Sequence, residues 1–319
     1  MSEHTHTICT EEQTVVETLL SQLNQEQCWL SKAIDNFSIP DSANAEAAVS
    51  YHFQTTGSQV RARLAIHSGI ALDLNNEDTL SIANCAELLH NASLIHDDVQ
   101  DNDAVRRNRP AVWSKFGTNV AICSGDLLIS AAYRALCKVT QPKLLPELLN
   151  LVHNRTSHAI LGQCADLGTH ANVRNPINHY TLLSKAKSGA LFSLPIEMTF
   201  LIAGQHQFMS LAREACENFA VAYQIADDVQ DLAVDMHNSS VNPTQHPCAN
   251  IVFIMSQIAI KGTTPSKTHV QKSILLAQEQ LSDCVRKASL LPKNSGAYLI
   301  RLAQQLEINF QTICNKALL

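Results

Sequence analysis

One acidic pentapeptide occurs twice in this chain, as Asp97-Asp98-Val99-Gln100-Asp101 and as Asp227-Asp228-Val229-Gln230-Asp231. On a helix the first and last aspartates of each copy stand at i and i+4, projecting from one face within about 6 Å. Like charges so placed disfavour an isolated helix by a few tenths of a kcal/mol, and a third carboxylate adds to that. Each copy ends an apolar helical run, residues 88–95 in one case and 219–226 in the other. A solvated acidic helix end would account for one copy alone. Two copies facing each other across a bundle would repel unless divalent cations lay between them. Hard oxygen ligands of this type suit Mg²⁺, which keeps several waters and bridges carboxylates to substrate phosphates. The chemistry indicated is a diphosphate clamped by several metals.

Cations stand close by. Arg106-Arg107 and Arg109 follow the first acidic cluster within nine residues, and Pro110 fixes the turn after them. Arginine forks bind phosphate bidentately, so carboxylates on one side and guanidiniums on the other suit a metal-bound diphosphate. Local Asp–Arg pairing at the surface, worth little, is the plainer alternative. Lys185 and Lys187, on an apolar-flanked segment, are further candidate phosphate ligands.

The elements that must carry these groups read as helices throughout. Apolar residues recur at helical spacing from Thr14 to Ile34 (Val15, Val16, Leu19, Leu20, Leu23), and residues 37–44, with Ile39-Pro40, break the pattern. Further helical stretches are expected at about 44–74, 78–104, 119–139, 143–167, 176–204, 208–234, 249–260, 267–288 and 293–317. No alternating strand and no linker appear. The expectation is a single all-α helical bundle over residues 12–319, preceded by a loose tail at 1–11.

Composition agrees. Among 319 residues there are only 10 glycines, which disfavours turn-rich β folds and glycine-hinged α/β folds. A formal net charge of −6 argues against nucleic acid or an anionic membrane surface as the main partner. The ten cysteines are too sparse for a disulfide scaffold and read as buried reduced thiols. The polar N-terminus lacks the apolar core of a signal peptide, and the weakly charged stretch 188–204 is too short to span a bilayer. A cytoplasmic protein with no membrane span is expected.

Residues 88–110, LLHNASLIHDDVQDNDAVRRNRP, strongly resemble the first aspartate-rich motif of trans-isoprenyl diphosphate synthases (polyprenyl synthetases), and residues 223–231, YQIADDVQD, resemble their second. Gly125-Asp126-Leu127-Leu128, Gly162-Gln163 with Asp166, and Lys187-Ser188-Gly189-Ala190-Leu191-Phe192 match further blocks of that family in order. The resemblance covers roughly residues 45–235. It implies the isoprenoid synthase fold, a central diphosphate and Mg²⁺ cavity, and a homodimer. An allylic prenyl diphosphate would ionise at its C–O bond, the double bond of isopentenyl diphosphate would attack, and released pyrophosphate would take the proton. Asp97, Asp101 and Asp227 would hold Mg²⁺, three ions per site, with Asp98, Asp228 and Asp231 helping directly or through water. Arg106, Lys187, Ser188 and Gln224 would bind the allylic diphosphate, and Arg61, His90 and Arg107 the isopentenyl diphosphate. Ser93 and Ala92, four and five residues before Asp97, are small where short-product members place aromatics. They imply a product of geranylgeranyl length or longer, with Tyr133 a deeper floor.

Two departures qualify the match. The family's first basic block has two glycines and then Lys-Arg-x-Arg-Pro, whereas Gly57-Ser58-Gln59-Val60-Arg61-Ala62 keeps only the last arginine. The stretch 235–247, where the family carries lysines after its second motif, has none. Each lost cation removes a charge-assisted bond worth about 1.5–3 kcal/mol. Two alternatives follow: a terpene-synthase-like enzyme that ionises one diphosphate without elongation, or a catalytically silent partner subunit of a heteromeric synthase.

Overall fold

The computed structural model describes residues 2–33, 43–167, 174–241, 250–259 and 264–317. They form α1 (Ser2–Ala33), α2 (Ala43–Phe53), α3 (Val60–Ala71), α4 (Asn76–Gln100), α5 (Val112–Phe116), α6 (Thr118–Ala135) and α7 (Leu145–Asp166). There follow α8 (Pro176–Ser184), a π-helical turn (Lys185–Gly189), α9 (Ala190–Ile202), α10 (Met209–Val241), α11 (Ile251–Ala259), α12 (Lys267–Ala288) and α13 (Ala297–Ala317). The fold is all-α. The one strand pairing among the described residues is a two-residue antiparallel ladder, β1 (Val105–Arg106) with β2 (Arg109–Pro110).

The sequence, lacking any linker, reads as one domain from residue 12; by its contacts the chain gathers into two compact units. One runs to Leu151 and includes Met198–Gln205; the other comprises Val152–Glu197 and His206–Leu319. The divisions fall inside α7 and α9, where no change of composition marks them.

In the first unit α4 is the central helix, packed by α3, α6, α1 and α5. Ile82, Leu88, Leu89 and Ile95 are buried on it beside small Ala83, Ala86 and Ala92. α6 meets it with Ala121, Gly125 and Ala132, and the His96 imidazole fills the place a Gly125 Cβ would need. Asn75 caps α4, its side chain accepting from the Asp78 N–H at 2.8 Å. Asp78 in turn accepts from the backbone and hydroxyl of Thr140 at 2.7 and 2.8 Å, tying the start of α4 to the turn after α6. α6 and its following turn, Thr118–Lys138, are long and apolar enough to cross a membrane by length and composition, and they pack as a core helix here.

In the second unit α10 is central, packed by α12, α13, α11, α8 and the π turn. Gly162 permits a close approach of α7: a Cβ there would lie 2.6 Å from the Lys187 backbone nitrogen and 2.9 Å from the Ala186 carbonyl carbon.

Three expectations are corrected. Helix α1 begins at Ser2, inside the stretch expected to be a loose tail. Residues 2–11 contain neither Gly nor Pro, so a helix nucleated by buried Val16, Leu19, Leu20 and Leu23 extends through them at little cost. The expected helix 44–74 is two helices, parted at residues 54–59 where Gln59 adopts φ 51°. Of the described cysteines, Cys85, Cys216 and Cys284 are buried but Cys123, Cys137 and Cys164 are exposed; all are free thiols. Apolar neighbours in sequence do not decide which helix face a cysteine takes.

Candidate active site

In the first unit, the aspartates divide by burial. Asp98 is 1% exposed; the Arg106 Nε donates to its Oδ1 at 2.6 Å, and the Nη2 lies at the same distance in an ion pair. Its Oδ2 has no partner, and burial raises its pKa against the pull of Arg106. Asp97 is partly exposed, and Asp101, the C-terminal cap of α4, is exposed. The i and i+4 carboxylates thus turn outward while the middle one is held inside by an arginine. Arg106, expected as an allylic diphosphate ligand, is committed to Asp98.

The arginines ride on the small hairpin. Arg107 and Asn108 form its two-residue loop with φ 52° and 60°, the primed geometry that matches the strands' own twist. Arg107 donates to the Thr55 carbonyl and lies over Gly57, where a Cβ would come within 2.6 Å of its Nη2. Facing the hairpin, α4 carries His90, whose pKa is driven well below its ordinary value by burial and then by Arg61, Arg107, His52 and Arg106. Burial, with Arg107 and Arg106, likewise takes His52 down to about 4, although its Nε2 meets the Asn91 Oδ1 at 2.8 Å. The structure thus brings Arg61, His90 and Arg107 into one electrostatic neighbourhood. His52, Glu87 and Asn91 belong to it too, and the sequence reading missed them. Asn91 Nδ2 donates to the Glu87 carbonyl at 2.7 Å, and Glu87 Oε2 accepts from the Ala62 N–H at 3.3 Å, next to Arg61. Their signal was there: two polar residues at i and i+4 in an otherwise apolar run.

Ser58 is exposed, and Gln59 is turned toward α1, its Nε2 donating to the Asn24 Oδ1 at 2.7 Å. Neither replaces the cations absent from that block.

In the second unit the same division recurs on α10. Asp228 is buried and accepts from the Tyr180 hydroxyl at 2.9 Å, the Gln224 Nε2 at 3.0 Å and the Ile251 N–H at 2.8 Å. Asn250 donates to the Asp228 carbonyl at 2.8 Å, so this carboxylate anchors α8 and the start of α11. Gln224, expected as a phosphate ligand, bonds Asp228. Asp231 is exposed and Asp227 partly so; burial and then Asp228 and Asp231 raise Asp227 to about 7. α10 runs on to Val241, so this cluster lies within a helix and not at its end. Residues 242–249 of the lysine-free stretch lie outside the described residues. On the π turn, Lys187 Nζ donates to the Asp166 Oδ2 at 2.9 Å, and Ser188 is half-buried beside it. Tyr180 and Asn250, which fix Asp228, carried no signal in the sequence because their partner lies 48 and 22 residues away.

Among the described residues no three His, Cys, Asp or Glu side chains gather closely enough to hold a metal by themselves. Outward pairs of hard oxygens suit a cation that takes its remaining ligands from water and phosphate, as Mg²⁺ does.

The expected chain-length residues lie in the first unit. Ala92 is 1% exposed, and the half-buried Ser93 turns its hydroxyl back to the His90 carbonyl at 2.8 Å. Tyr133 of α6 is half-buried close to Cys85, two turns before Ala92 on α4.

A family model described as polyprenyl synthetase matches residues 42–245. The chain is 29% identical over 180 residues to a short chain isoprenyl diphosphate synthase of Methanocaldococcus jannaschii, covering 56% of this chain and 55% of that protein. It is 27% identical over 219 residues to a geranylgeranyl diphosphate synthase of Methanosarcina mazei, 67% of each chain. The match thus spans little more than half the length of the first of these relatives. Among solved structures, a geranylgeranyl pyrophosphate synthetase from Geoglobus acetivorans superposes with a TM-score of 0.76 at 17% identity, covering 93% of this chain and 98% of that one. An FPP/GFPP synthase from Zymomonas mobilis gives 0.71 at 21% identity, with 93% and 98% covered. At such identities the structures show the shared all-α fold. The family model spans more than half of the chain, including both aspartate clusters, and the chain belongs to the polyprenyl synthetase family.

Proposed function

We propose that this chain is a Mg²⁺-dependent prenyltransferase that condenses an allylic prenyl diphosphate with isopentenyl diphosphate, giving a product of geranylgeranyl length or longer. One observation carries the reading. α4 presents the outward carboxylates Asp97 and Asp101 and, about two turns earlier, His90 among Arg61, Arg106 and Arg107. Metal-seeking oxygens and arginine forks on and around one helix suit phosphate chains. The archaeal relatives named as isoprenyl and geranylgeranyl diphosphate synthases support elongation as the reaction.

In this proposal Asp97, Asp101 and Asp227 hold three Mg²⁺ per site, with Asp231 assisting. Bound metal neutralises charge that grows on the departing diphosphate. Asp98 and Asp228 act as braces, since protein donors already engage them. Lys187 and Ser188 bind the allylic diphosphate, and Gln224 acts through Asp228. Arg61, His90 and Arg107 seat the isopentenyl diphosphate. The allylic C–O bond breaks, the acceptor's double bond attacks the cation, and pyrophosphate removes the proton lost from the new chain. A homodimer working in the cytoplasm completes the proposal.

Ser58 and Gln59 favour a second reading, ionisation without an acceptor. The discriminating experiment incubates the full chain with Mg²⁺ and allylic diphosphates, with and without isopentenyl diphosphate. Longer diphosphates formed only with isopentenyl diphosphate are expected. Hydrocarbon or alcohol formed without it would establish the second reading, and no turnover would leave a silent subunit.

A further inference from the structure

The π turn that carries Lys187 and Ser188 lies against charges of the second unit that the proposed reaction does not use. Its bonds run from i to i+5, the Ala190 N–H donating to the Lys185 carbonyl. Such turns are rare and occur as single insertions in helices, frequently at functional sites. Two helices press on this one. Gly162 of α7 leaves no space beside the Ala186–Lys187 peptide. Gly189, the last residue of the turn, meets α10, where a Cβ would lie 3.1 Å from the Glu217 Cγ and 3.2 Å from its Cα. The end of the turn therefore rests on Glu217.

Glu217 is half-buried, and its Oε1 lies 3.6 Å from the Nε of Arg213, one turn earlier. Burial raises its pKa; Lys185, Arg213 and Arg155 pull it back, and Glu197 adds to the rise. Arg155 has no fork left for it, because Nε and Nη2 go to the two oxygens of the buried Glu197 at 2.7 Å each. Lys185 is half-buried at the start of the turn, and among the described residues no ion pair engages it. Its charge acts on Glu217 from beyond contact, as charges do where water is largely excluded. Asp283 of α12, which also feels Lys185, is already paired to Arg286 at 2.8 Å. The two lysines of the turn thus divide. Lys187 reaches Asp166 of α7 at 2.9 Å, and Lys185 is drawn toward Glu217 of α10.

We propose that Glu217 is a positioning residue for Lys187: by supporting Gly189 and attracting Lys185 it fixes both ends of the π turn, and with them the direction of the Lys187 ammonium. Glu217 acts through the turn and is not itself a ligand. Lys185, by the same argument, anchors the turn and does not bind phosphate. The allylic diphosphate as the object that Lys187 meets rests on the prenyltransferase reading; the fixing of the turn does not.

The test uses the full chain and compares Glu217→Gln, which keeps volume and removes charge, with Glu217→Ala. Its first readout needs no prenyl transfer: the rate at which an acetylating reagent modifies Lys187, followed by mass spectrometry. Glu217→Gln should raise that rate about threefold to fivefold, the factor of one weakened ion pair. With Mg²⁺ and both substrates it should raise KM for the allylic diphosphate by a similar factor. The KM for isopentenyl diphosphate and kcat should stay near wild type, the pattern of lost uniform binding. A merely structural role would lower the amount of active enzyme, and so the apparent kcat, and leave both KM values alone. Lys185→Gln should match Glu217→Gln, and the double variant should be no worse than either, because one attraction is lost only once. A Lys185→Gln effect that adds in full to Glu217→Gln would make Lys185 a ligand and overturn its anchoring role. Glu214→Gln, on the same helix and paired to Lys287, should change nothing. Unchanged Lys187 labelling in both Glu217 variants overturns the inference. Faster labelling in a chain that neither binds nor consumes allylic diphosphates keeps the fixed turn and overturns the prenyltransferase reading.

Discussion

Each aspartate of the repeated pentapeptide has its own task, set by where its side chain ends. Asp98 and Asp228 are buried against an arginine in one case and a tyrosine, an amide and a backbone N–H in the other. Asp101 and Asp231 are exposed, and Asp97 and Asp227 are half-buried. Asp97→Ala or Asp227→Ala should therefore lower turnover by several orders of magnitude and leave the circular dichroism of the helices intact; near-normal rates in both would remove the proposed site. Asp227 adds a pH signature. Its folded pKa of about 7 stands above the ordinary carboxylate value of about 4, so the metal-free native state holds the extra proton between those values. Stability of the metal-free chain should fall as pH rises from about 4 through 7, and Asp227→Asn should flatten that slope in thermal melts. Mg²⁺ competes with the same proton, so the Mg²⁺ concentration needed for half-maximal rate should rise as pH drops below 7.

Helices position these groups through close approaches that only small residues allow. The π turn places Lys187 where its ammonium reaches Asp166, and it lies so near α7 that Gly162 has no room for a Cβ. The atoms in the way are backbone, which cannot rotate aside. Gly162→Ala should cost about 1–3 kcal/mol in chemical denaturation. It should also raise KM for the allylic diphosphate, because the shift displaces Lys187. A variant with wild-type stability and KM would show that α7 and the π turn adjust freely. Gly125, with the His96 imidazole in the space of its Cβ, has the same role between α6 and α4.

At the scale of the whole molecule the two compact units carry complementary chemistry: the arginines around His90 and one acidic cluster in the first, the second cluster with Lys187 in the other. The residues proposed to set product length lie in the first unit. Ala92 lies five residues below Asp97 on α4 and Cys85, beside Tyr133, twelve below, or about 7 and 18 Å along the axis at 1.5 Å per residue. Ala92→Phe should shorten the product, read by chromatography of the dephosphorylated alcohols. A folded variant with wild-type product length would show that Ala92 is buried by packing alone.

The sequence by itself determined the fold class, most helices, and the residues of both acidic clusters. Helical periodicity and the i, i+4 geometry of carboxylates are local properties, fixed by 3.6 residues per turn. It also pointed to Arg61, His90 and Arg107, through motif resemblance rather than spacing. Tertiary structure decided the rest. It chose which aspartate of each trio turns inward, since Arg106, Tyr180 and Ile251 come from other elements. It gave Arg106 and Gln224 each a carboxylate partner. It turned Gln59 to α1 and raised Arg109 over Tyr51, 58 residues apart in the chain. It extended α1 through the expected tail and split the chain inside α7 and α9. Periodicity tells which side of a helix is apolar; it cannot tell which partner a charged side chain meets, because that partner is set by packing between segments distant in sequence.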